Sequence, residues 1–235
     1  MRFPNPVFVA LDTPDLSRAL AVARAVKPHV GGLKVGLEFI SAHGPDGIRK
    51  VVDTGLPVFA DTKFHDIPNT VAGAARVIGM LGVSMFNIHA SGGEAMMRAA
   101  AEAIADIHPR PLLIAVTVLT SLDDAVLASV GQQCPAAAQV ERLAALTRAS
   151  GLDGVVCSAH ELAAVRKSCG PDFLTVVPGI RPAGGDLADQ RRVMTPAQAR
   201  AAGADILVIG RPITGAPDPG AAARAIAQEL AGTST

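Results

Sequence analysis

The sequence lacks features that mark several common protein classes. Its 235 residues include no tryptophan and no tyrosine, and aromatic residues make up only 3% of the chain. Aromatic side chains are the usual stacking platforms for single-stranded nucleic acid. Lysine plus arginine equals aspartate plus glutamate, at 21 each, so there is no basic surplus to neutralise phosphates. We therefore expect no nucleic acid partner.

Cysteine is scarce, and no apolar run is long. The three cysteines, Cys134, Cys157 and Cys169, lack C-x-x-C spacing, which favours reduced thiols in a reducing compartment. His65, His89 and the cysteines lack zinc-ligand spacing among themselves, so no metal site is expected. No apolar stretch reaches membrane-spanning length, and the first residues lack the apolar core of a signal peptide. We therefore expect a soluble cytoplasmic protein that does not associate with a membrane.

What the chain does contain is a regular alternation of apolar and helical segments. Hydrophobic residues make up 49% of the chain and charged residues 18%, as in a globular protein, and residues 1–235 can form one domain with a sizeable core. Eight short apolar runs are expected to be strands: 7–11, 32–36, 58–63, 84–90, 112–119, 154–158, 173–179 and 205–210. Continuous apolar strands with helices between them are typical of a parallel sheet that is covered on both faces.

Two folds share this pattern. An open doubly wound sheet would carry a glycine-rich phosphate turn after its first strand. Here that strand ends in Leu11-Asp12-Thr13-Pro14, without glycine. We expect Asp12 or Thr13 to cap the first helix, with Pro14 in its first turn. The sequence therefore predicts the α/β class and, within it, a single-domain (β/α)8 TIM barrel.

Polar side chains stand where the predicted strands end. The active sites of barrel enzymes lie at the carboxyl ends of the strands. At those ends the sequence has Asp12, Lys34, Asp61, Lys63, Asn87, His89, Thr117, Thr120, Ser158, Arg181, Gly210 and Arg211. Lys34 lies in an otherwise apolar strand and requires an anionic partner, for which Asp61 is the natural choice. For Asp61 and Lys63 the alternative is a structural ion pair that caps a buried strand.

The segments after the seventh and eighth predicted strands suit a phosphate group. Gly210 would let backbone N–H groups approach an anion, and Arg211 adds a bidentate donor. Barrels often bind phosphate after these two strands. The glycine-rich loop 180–192 carries Arg181 and Gln190, and its composition is typical of a lid that closes over a ligand. The alternatives are a surface arginine and an inert surface loop.

The stretch Asp61-Thr62-Lys63-Phe64-His65-Asp66-Ile67-Pro68-Asn69-Thr70 resembles the signature of the orotidine 5′-monophosphate decarboxylase family, in its bacterial branch. Further similar segments cover nearly the whole chain: 10–12, 33–36, 118–121, 178–182, 190–196 and 209–214. The resemblance implies a barrel enzyme that removes CO2 from orotidine 5′-monophosphate to give UMP in pyrimidine biosynthesis. It also implies that the reaction needs neither a metal nor an organic cofactor.

The resemblance further implies roles for individual residues. Lys63 would stabilise a carbanion at C6 of the pyrimidine and then protonate it. The implied catalytic array is Lys34, Asp61, Lys63 and Asp66. Asp66 and Thr70 would reach into the site of a partner subunit, so a homodimer with shared active sites is expected. The other implied substrate contacts are Asp12 at the ribose, Thr120 at the pyrimidine, and Arg181, Gln190, Gly210 and Arg211 at the lid and phosphate.

Two other functions remain open on the sequence. The D-x-K-x-x-D core of residues 61–66 is shared with metal-dependent sugar-phosphate lyases and decarboxylases of the same superfamily. The extension at residues 67–70 and Gln190 instead favour the nucleotide decarboxylase. The third hypothesis is a catalytically silent barrel that binds a nucleotide or has a structural role, although such a protein would not need every polar residue at the strand ends.

Overall fold

The computed structural model describes residues 3–132, 135–182 and 194–232. Eight parallel strands close into a barrel in chain order, and the last strand pairs with the first. This confirms the predicted (β/α)8 TIM-barrel fold. The strands are β1 Val7–Ala10, β2 Gly32–Val35, β3 Val58–Phe64, β4 Met85–His89, β5 Leu112–Val116, β6 Gly154–Val156, β7 Leu174–Val177 and β8 Ile206–Ile209.

Helices follow the strands and surround the barrel. In the described parts of the chain they are α1 Leu16–Val26, α2 Leu37–Val52, α3 Pro68–Gly79, α4 Gly93–Ala103, α5 Asp124–Ser129, α6 Ala136–Ala149, α7 Leu162–Cys169, α8 Pro196–Ala201, α9 Arg211–Thr214 and α10 Pro219–Gly232. Short 3-10 turns occupy Lys27–His29, Ala90–Gly92 and Ala159–Glu161. None of the helices described is both long and apolar enough to cross a membrane.

Large apolar side chains fill the interior of the barrel. The buried cluster there contains Phe8, Ala10, Phe59, Met85, Ile114, Leu174, Val176, Ile206 and Val208. The strand register places Phe8 opposite Gly32 on one side and Val208 on the other. A Cβ on Gly32 would collide with the Phe8 ring, so glycine at this position makes room for the phenylalanine. Side chains two residues further along the strands, such as Lys34 and Asp61, face the same interior nearer the carboxyl ends.

The opposite faces of the strands pack against the helices. Val7, Val9 and Leu33 are fully buried in this second, larger apolar layer. Burial of an aliphatic side chain of this size contributes about 1.5–3 kcal/mol. The two apolar layers therefore hold the strand ends, and the polar side chains on them, in defined positions.

The start of α1 differs from the expectation. Asp15, rather than Asp12 or Thr13, caps the helix, since its side chain accepts a hydrogen bond from the Arg18 N–H. Thr13 Oγ1 accepts the Asp15 N–H, and Asp12 turns toward Lys34. Because the cap lies further along the chain, Pro14 precedes the helix. The later start leaves Asp12 at the rim of the barrel.

Strand ends and one helix also differ from the expectation. β5 ends at Val116 and β7 at Val177, earlier than the apolar runs suggested, so Thr120 and Arg181 lie in loops. The short helix α9 was not predicted after β8. It forms because Pro212 fits the first turn of a helix and the Gly215 N–H bonds to the Arg211 carbonyl.

Candidate active site

The carboxyl ends of the strands surround a cavity of about 510 Å³. Its apolar lining includes Ala10, Phe59, Val116, Val156, Val176 and Val208. The predicted site residues that line it are Asp12, Lys34, Asp61, Lys63, Thr120, Arg181, Gly210 and Arg211. A cavity of this volume suits a small-molecule ligand. The fold thus brings predicted residues from distant parts of the chain to one place.

Lys34 projects from β2 into the barrel interior, where only 7% of it is exposed. Its Nζ lies 2.8 Å from Asp12 Oδ1 and 3.3 Å from Asp61 Oδ2. Burial alone would lower the pKa of Lys34, but the charges of Asp61 and Asp12 and their hydrogen bonds raise the pKa above its ordinary value. Asp61 is therefore the anionic partner that the sequence predicted, Asp12 is a second one, and Lys34 remains an ammonium.

Asp61 links the two lysines. Its Oδ1 accepts hydrogen bonds from Lys63 Nζ at 2.6 Å and from Asn87 Nδ2 at 2.7 Å, and its Oδ2 faces Lys34. Burial alone would raise the pKa of Asp61, but the charges of Lys34 and Lys63 and the two hydrogen bonds lower it below its ordinary value. Asp61 is therefore a carboxylate. The Lys63 side chain is 26% exposed, so its ammonium borders the open part of the cavity.

Two histidines lie beside this charged cluster. The rings of His65 and His89 have centroids 5.7 Å apart and are tilted by 31°. Burial, followed by the positive charges of His65 and Lys63, lowers the pKa of His89, and the opposing effect of Asp61 is smaller. Within the part of the chain that the structure describes, no group of three or more His, Cys, Asp or Glu side chains is placed to hold a metal ion.

Two arginines line the cavity beyond β7 and β8. Arg181 is only 8% exposed, and its guanidinium donates to the Ile180 carbonyl oxygen at 2.9 Å. Arg211 is the first residue of α9 and is exposed. Arg181, Gly210 and Arg211 together form what we call the arginine wall of the cavity. Guanidinium groups are donors of the kind that bind phosphate. Gln190 and the rest of the predicted lid between residues 183 and 193 lie outside the described residues.

Asp66 and Thr70 do not line the cavity formed by the described residues of this single chain. Asp66 is exposed, and its Oδ1 accepts the N–H of Ile67 at 2.7 Å. Thr70 lies in the first turn of α3 and is also exposed. The loop after β3 and the first turn of α3 therefore present Asp66 and Thr70 at the protein surface.

Two residues of the site were not assigned from the sequence. Asn87 was noted only as a polar residue near a strand end, yet its amide bonds both Asp61 and the Lys63 backbone N–H. An amide within an apolar strand was the signal that could have identified it. Glu38 lines the cavity from the first turn of α2. An acidic residue at a helix start is so common that no signal distinguished it.

Comparison with known proteins agrees with this geometry. Residues 5–226 match the orotidine 5′-phosphate decarboxylase / HUMPS family. Proteins named orotidine 5′-phosphate decarboxylase from Moorella thermoacetica and Paramagnetospirillum magneticum are 56% and 54% identical to this chain. These matches cover 98% and 96% of this chain and 94% and 98% of the relatives.

A solved structure supports the same assignment. The crystal structure of orotidine 5′-phosphate decarboxylase from Lactobacillus acidophilus superimposes with a TM-score of 0.84 at 39% sequence identity. The match covers 96% of this chain and 99% of that one. Sequence and structure thus agree over almost the full length of both chains, and the protein belongs to the orotidine 5′-phosphate decarboxylase / HUMPS family.

Proposed function

We propose that this protein decarboxylates orotidine 5′-monophosphate to UMP and CO2, a step of pyrimidine biosynthesis. The observation that carries the proposal is the Lys34–Asp61–Lys63 array in a cavity that has both apolar and charged lining residues. The reaction requires a cation beside the carbon that becomes negative and donors for a remote phosphate. The array supplies the first, and the arginine wall supplies the second.

In this proposal Lys63 is the acid. The bond between C6 and the carboxyl carbon breaks, its electron pair stays on C6, and CO2 leaves. The Lys63 ammonium stabilises the carbanion and then transfers a proton to C6, which forms the C6–H bond of UMP. The neutral amine regains a proton from solvent, since the Lys63 side chain is 26% exposed.

Asp61 is proposed to act on the substrate as well as on Lys63. Its carboxylate would face the carboxylate of the substrate, and the repulsion between them would end when CO2 departs. The bound substrate is then destabilised more than the transition state. The lowered pKa of Asp61 keeps this negative charge in place at neutral pH.

The interaction between charges alone lowers the reaction barrier too little. Two charges ~4 Å apart interact by roughly 4 kcal/mol at an effective dielectric constant near 20. Enzymes commonly lower barriers by roughly 8–23 kcal/mol. Binding energy from the phosphate should therefore hold the substrate against the array and contribute to the rate itself.

This leads to a prediction for Arg211→Ala. Loss of one guanidinium from the arginine wall should lower kcat by about 100-fold, because the substrate is then held less accurately. Steady-state kinetics with orotidine 5′-monophosphate measures the effect. A raised KM with an unchanged kcat at saturation would show that Arg211 only binds the substrate.

We also propose that two copies of the 1–235 catalytic domain form a homodimer with shared sites. Asp66 and Thr70 would enter the partner's cavity, and the neighbouring Ile67, which is 67% exposed, would be covered by the contact. Mixing inactive Lys63→Ala and Asp66→Ala variants tests this, because a mixed dimer regains one intact site. Unrecovered activity despite subunit exchange would contradict the shared site.

The activity itself has a direct test. The purified protein is mixed with orotidine 5′-monophosphate, and the ultraviolet absorbance of the pyrimidine is followed with and without EDTA. We expect turnover in both samples. An unchanged absorbance would rule out the decarboxylase, and activity lost only in EDTA would favour the metal-dependent sugar-phosphate relatives. We further propose a cytoplasmic location, since Cys169 is a buried thiol outside any disulfide.

A further inference from the structure

Asn87 is a buried polar residue of β4, between the apolar residues Phe86 and Ile88. It is opposite Ile114 of β5 in the strand register, and none of its surface is exposed. A buried amide is costly unless its donor and its acceptor are both bonded. Here both are bonded: Nδ2 donates to Asp61 Oδ1 at 2.7 Å, and Oδ1 accepts the Lys63 backbone N–H at 2.7 Å.

Lys63 has a backbone conformation that requires support. Its φ is 51°, in the left-handed region, and among the described residues it is the only residue other than glycine with a positive φ. A side chain makes this conformation unfavourable. The pairing of β3 with β4 also shifts between Ala60 and Phe64, so Lys63 lies in a bulge. Asn87 Oδ1 supplies the hydrogen bond to the Lys63 N–H within this irregular segment.

The same amide also fixes the carboxylate that holds the Lys63 ammonium. Asp61 Oδ1 accepts hydrogen bonds from both Asn87 Nδ2 and Lys63 Nζ. A third bond joins the bulge to β4, since Thr62 Oγ1 donates to the Asn87 carbonyl oxygen at 2.7 Å. One neutral side chain thus ties together the backbone of Lys63 and the anion that orients its head group.

We propose that Asn87 is a positioning residue for the decarboxylation, acting through Lys63 and Asp61. The proposal rests on the proposed function and adds to it the residue that sets the geometry of the proton donor. The two ends of the amide have separate tasks. The acceptor stabilises the left-handed backbone of Lys63, and the donor fixes the rotation of the Asp61 carboxylate.

Two substitutions separate these tasks. Asn87→Ala removes both the donor and the acceptor. Asn87→Asp keeps the shape and an acceptor for the Lys63 N–H, but it places a second carboxyl group beside Asp61. Thr175→Val is a matched control, because Thr175 is also fully buried in a strand but bonds to Asp205 at the amino end of β7.

Two measurements are made on each protein: kcat and KM for orotidine 5′-monophosphate, and hydrogen exchange of the Lys63 amide by NMR. Asn87→Ala should lower kcat by about 100-fold with a much smaller change in KM. Its Lys63 amide should exchange faster by roughly fivefold, the factor expected for one lost hydrogen bond. Asn87→Asp should lower kcat while that amide stays protected. Thr175→Val should lower thermal stability but change neither the kinetic constants nor the exchange rate of the Lys63 amide.

The pH profile gives a further readout that packing alone would not move. In Asn87→Asp the introduced carboxyl group and Asp61 repel each other, so one of the two binds a proton at a higher pH than an isolated aspartate. Once protonated, the introduced group can donate to Asp61 as the amide does. The ratio of its kcat to the wild-type kcat should therefore rise as the pH falls. Lys34, Lys63 and His89 lie near the same pair in both proteins, so the ratio compares the two side chains at position 87 among the same charged neighbours.

Several outcomes would overturn the proposal. It fails if Asn87→Ala keeps the wild-type kcat, or if its Lys63 amide exchanges as slowly as in the wild type. If Asn87→Ala does not fold, Asn87→Asp carries the test, and an unchanged kcat in that variant contradicts the role of the donor. A wild-type protein without turnover contradicts the proposed function instead, and the amide exchange then decides alone whether Asn87 holds the Lys63 backbone.

Discussion

Two charged clusters lie at opposite ends of the barrel and are built differently. The rim cluster, Asp12, Lys34, Asp61 and Lys63, lies at the carboxyl ends of the strands, and its ion pairs run between side chains at 2.6 to 3.3 Å. The basal cluster, Arg166, Thr175 and Asp205, lies at the amino ends of β7 and β8. Both contain short ion pairs, but only the rim cluster borders the cavity.

In the basal cluster, most of the bonds go to the backbone. The Arg166 guanidinium pairs with Asp205 at 2.6 Å, and Asp205 also accepts the Thr175 N–H at 2.8 Å. Arg166 further donates to three carbonyl oxygens, those of Pro171, Phe173 and Gly203, at 3.0, 2.5 and 2.8 Å. An ion pair that stabilises the fold thus joins the backbones of several elements. The proposed catalytic pairs instead join charged side chains to one another at the edge of the cavity.

The largest expected effect separates the two clusters by activity. Lys63→Ala should lower kcat by about 10⁴-fold or more, because it removes both the proposed acid and its charge. The free energy of unfolding should change by less than about 1 kcal/mol, since Asp61 keeps Lys34 and Asn87 as partners. The ultraviolet assay and urea unfolding measure the two quantities. A large loss of stability with little loss of activity would reverse the assignment of the rim cluster.

The next effect is on stability at the basal cluster. Arg166→Ala should lower the free energy of unfolding by about 2–4 kcal/mol, because several carbonyl oxygens and Asp205 lose their donor. The kcat of the protein that remains folded should equal that of the wild type. Arg49→Ala is the control: Arg49 is more than half exposed in its pair with Asp46, and its loss should change stability by about 0.5 kcal/mol or less. A loss of kcat in folded Arg166→Ala would remove the distinction between the clusters.

A smaller effect is expected at Gly36, which lies against the rim cluster. A Cβ on this residue would lie 2.7 Å from Asp12 Oδ1 and 2.8 Å from Lys34 Nζ, too close for their ion pair to keep its place. Gly36→Ala should therefore raise KM about tenfold, because Asp12 is proposed to hold the ribose. At Gly232 a Cβ would meet nothing within 4 Å, so Gly232→Ala serves as the control. Equal KM values for the two variants would contradict this close packing.

The smallest expected effect is the pH dependence of stability that the rim cluster contributes. The pKa of Asp61 is lowered in the folded protein, so ionised Asp61 stabilises the fold above the ordinary aspartate pKa of about 4. This contribution is lost as the pH falls through the lowered pKa. The pKa of Lys34 is raised, so its contribution is present below the ordinary lysine pKa of about 10.4 and is lost as the pH rises through the raised value.

Urea unfolding over a series of pH values tests this effect. The unfolding free energy of the wild type should decrease more steeply on acidification than that of Asp61→Asn, which has no carboxylate at this position to protonate. Between the acid and alkaline ranges the two proteins should differ by a constant amount. Equal acid slopes would show that Asp61 has the same affinity for protons in the folded and unfolded chain.

Much of the fold and the site could be predicted from the sequence. The alternation of apolar runs with helical patterns predicted the barrel, because strands covered on both faces have no polar face. Once the strands were placed, their polar ends identified Asp12, Lys34, Asp61 and Lys63, and the structure brings these four to one cavity.

What could not be predicted depends on the register between strands. The role of Asn87 requires the bulge in β3 that turns the Lys63 N–H toward β4, and no pattern of residues encodes that shift.

The cap of α1 was placed wrongly because Asp12, Thr13 and Asp15 can all accept a backbone N–H, and only the ion pair with Lys34 removes Asp12 from the choice.

Because β8 pairs with β1, the barrel can close only after its last strand has been synthesised. Asp12 follows the first strand to leave the ribosome, and Arg211 follows the last. Until β8 emerges, β1 remains an open edge and the cavity lacks Gly210 and Arg211. A nascent chain should therefore hold no nucleotide, and it should expose apolar strand surface that chaperones recognise. Substrate bound by both Asp12 and Arg211 should in turn slow the separation of β1 from β8.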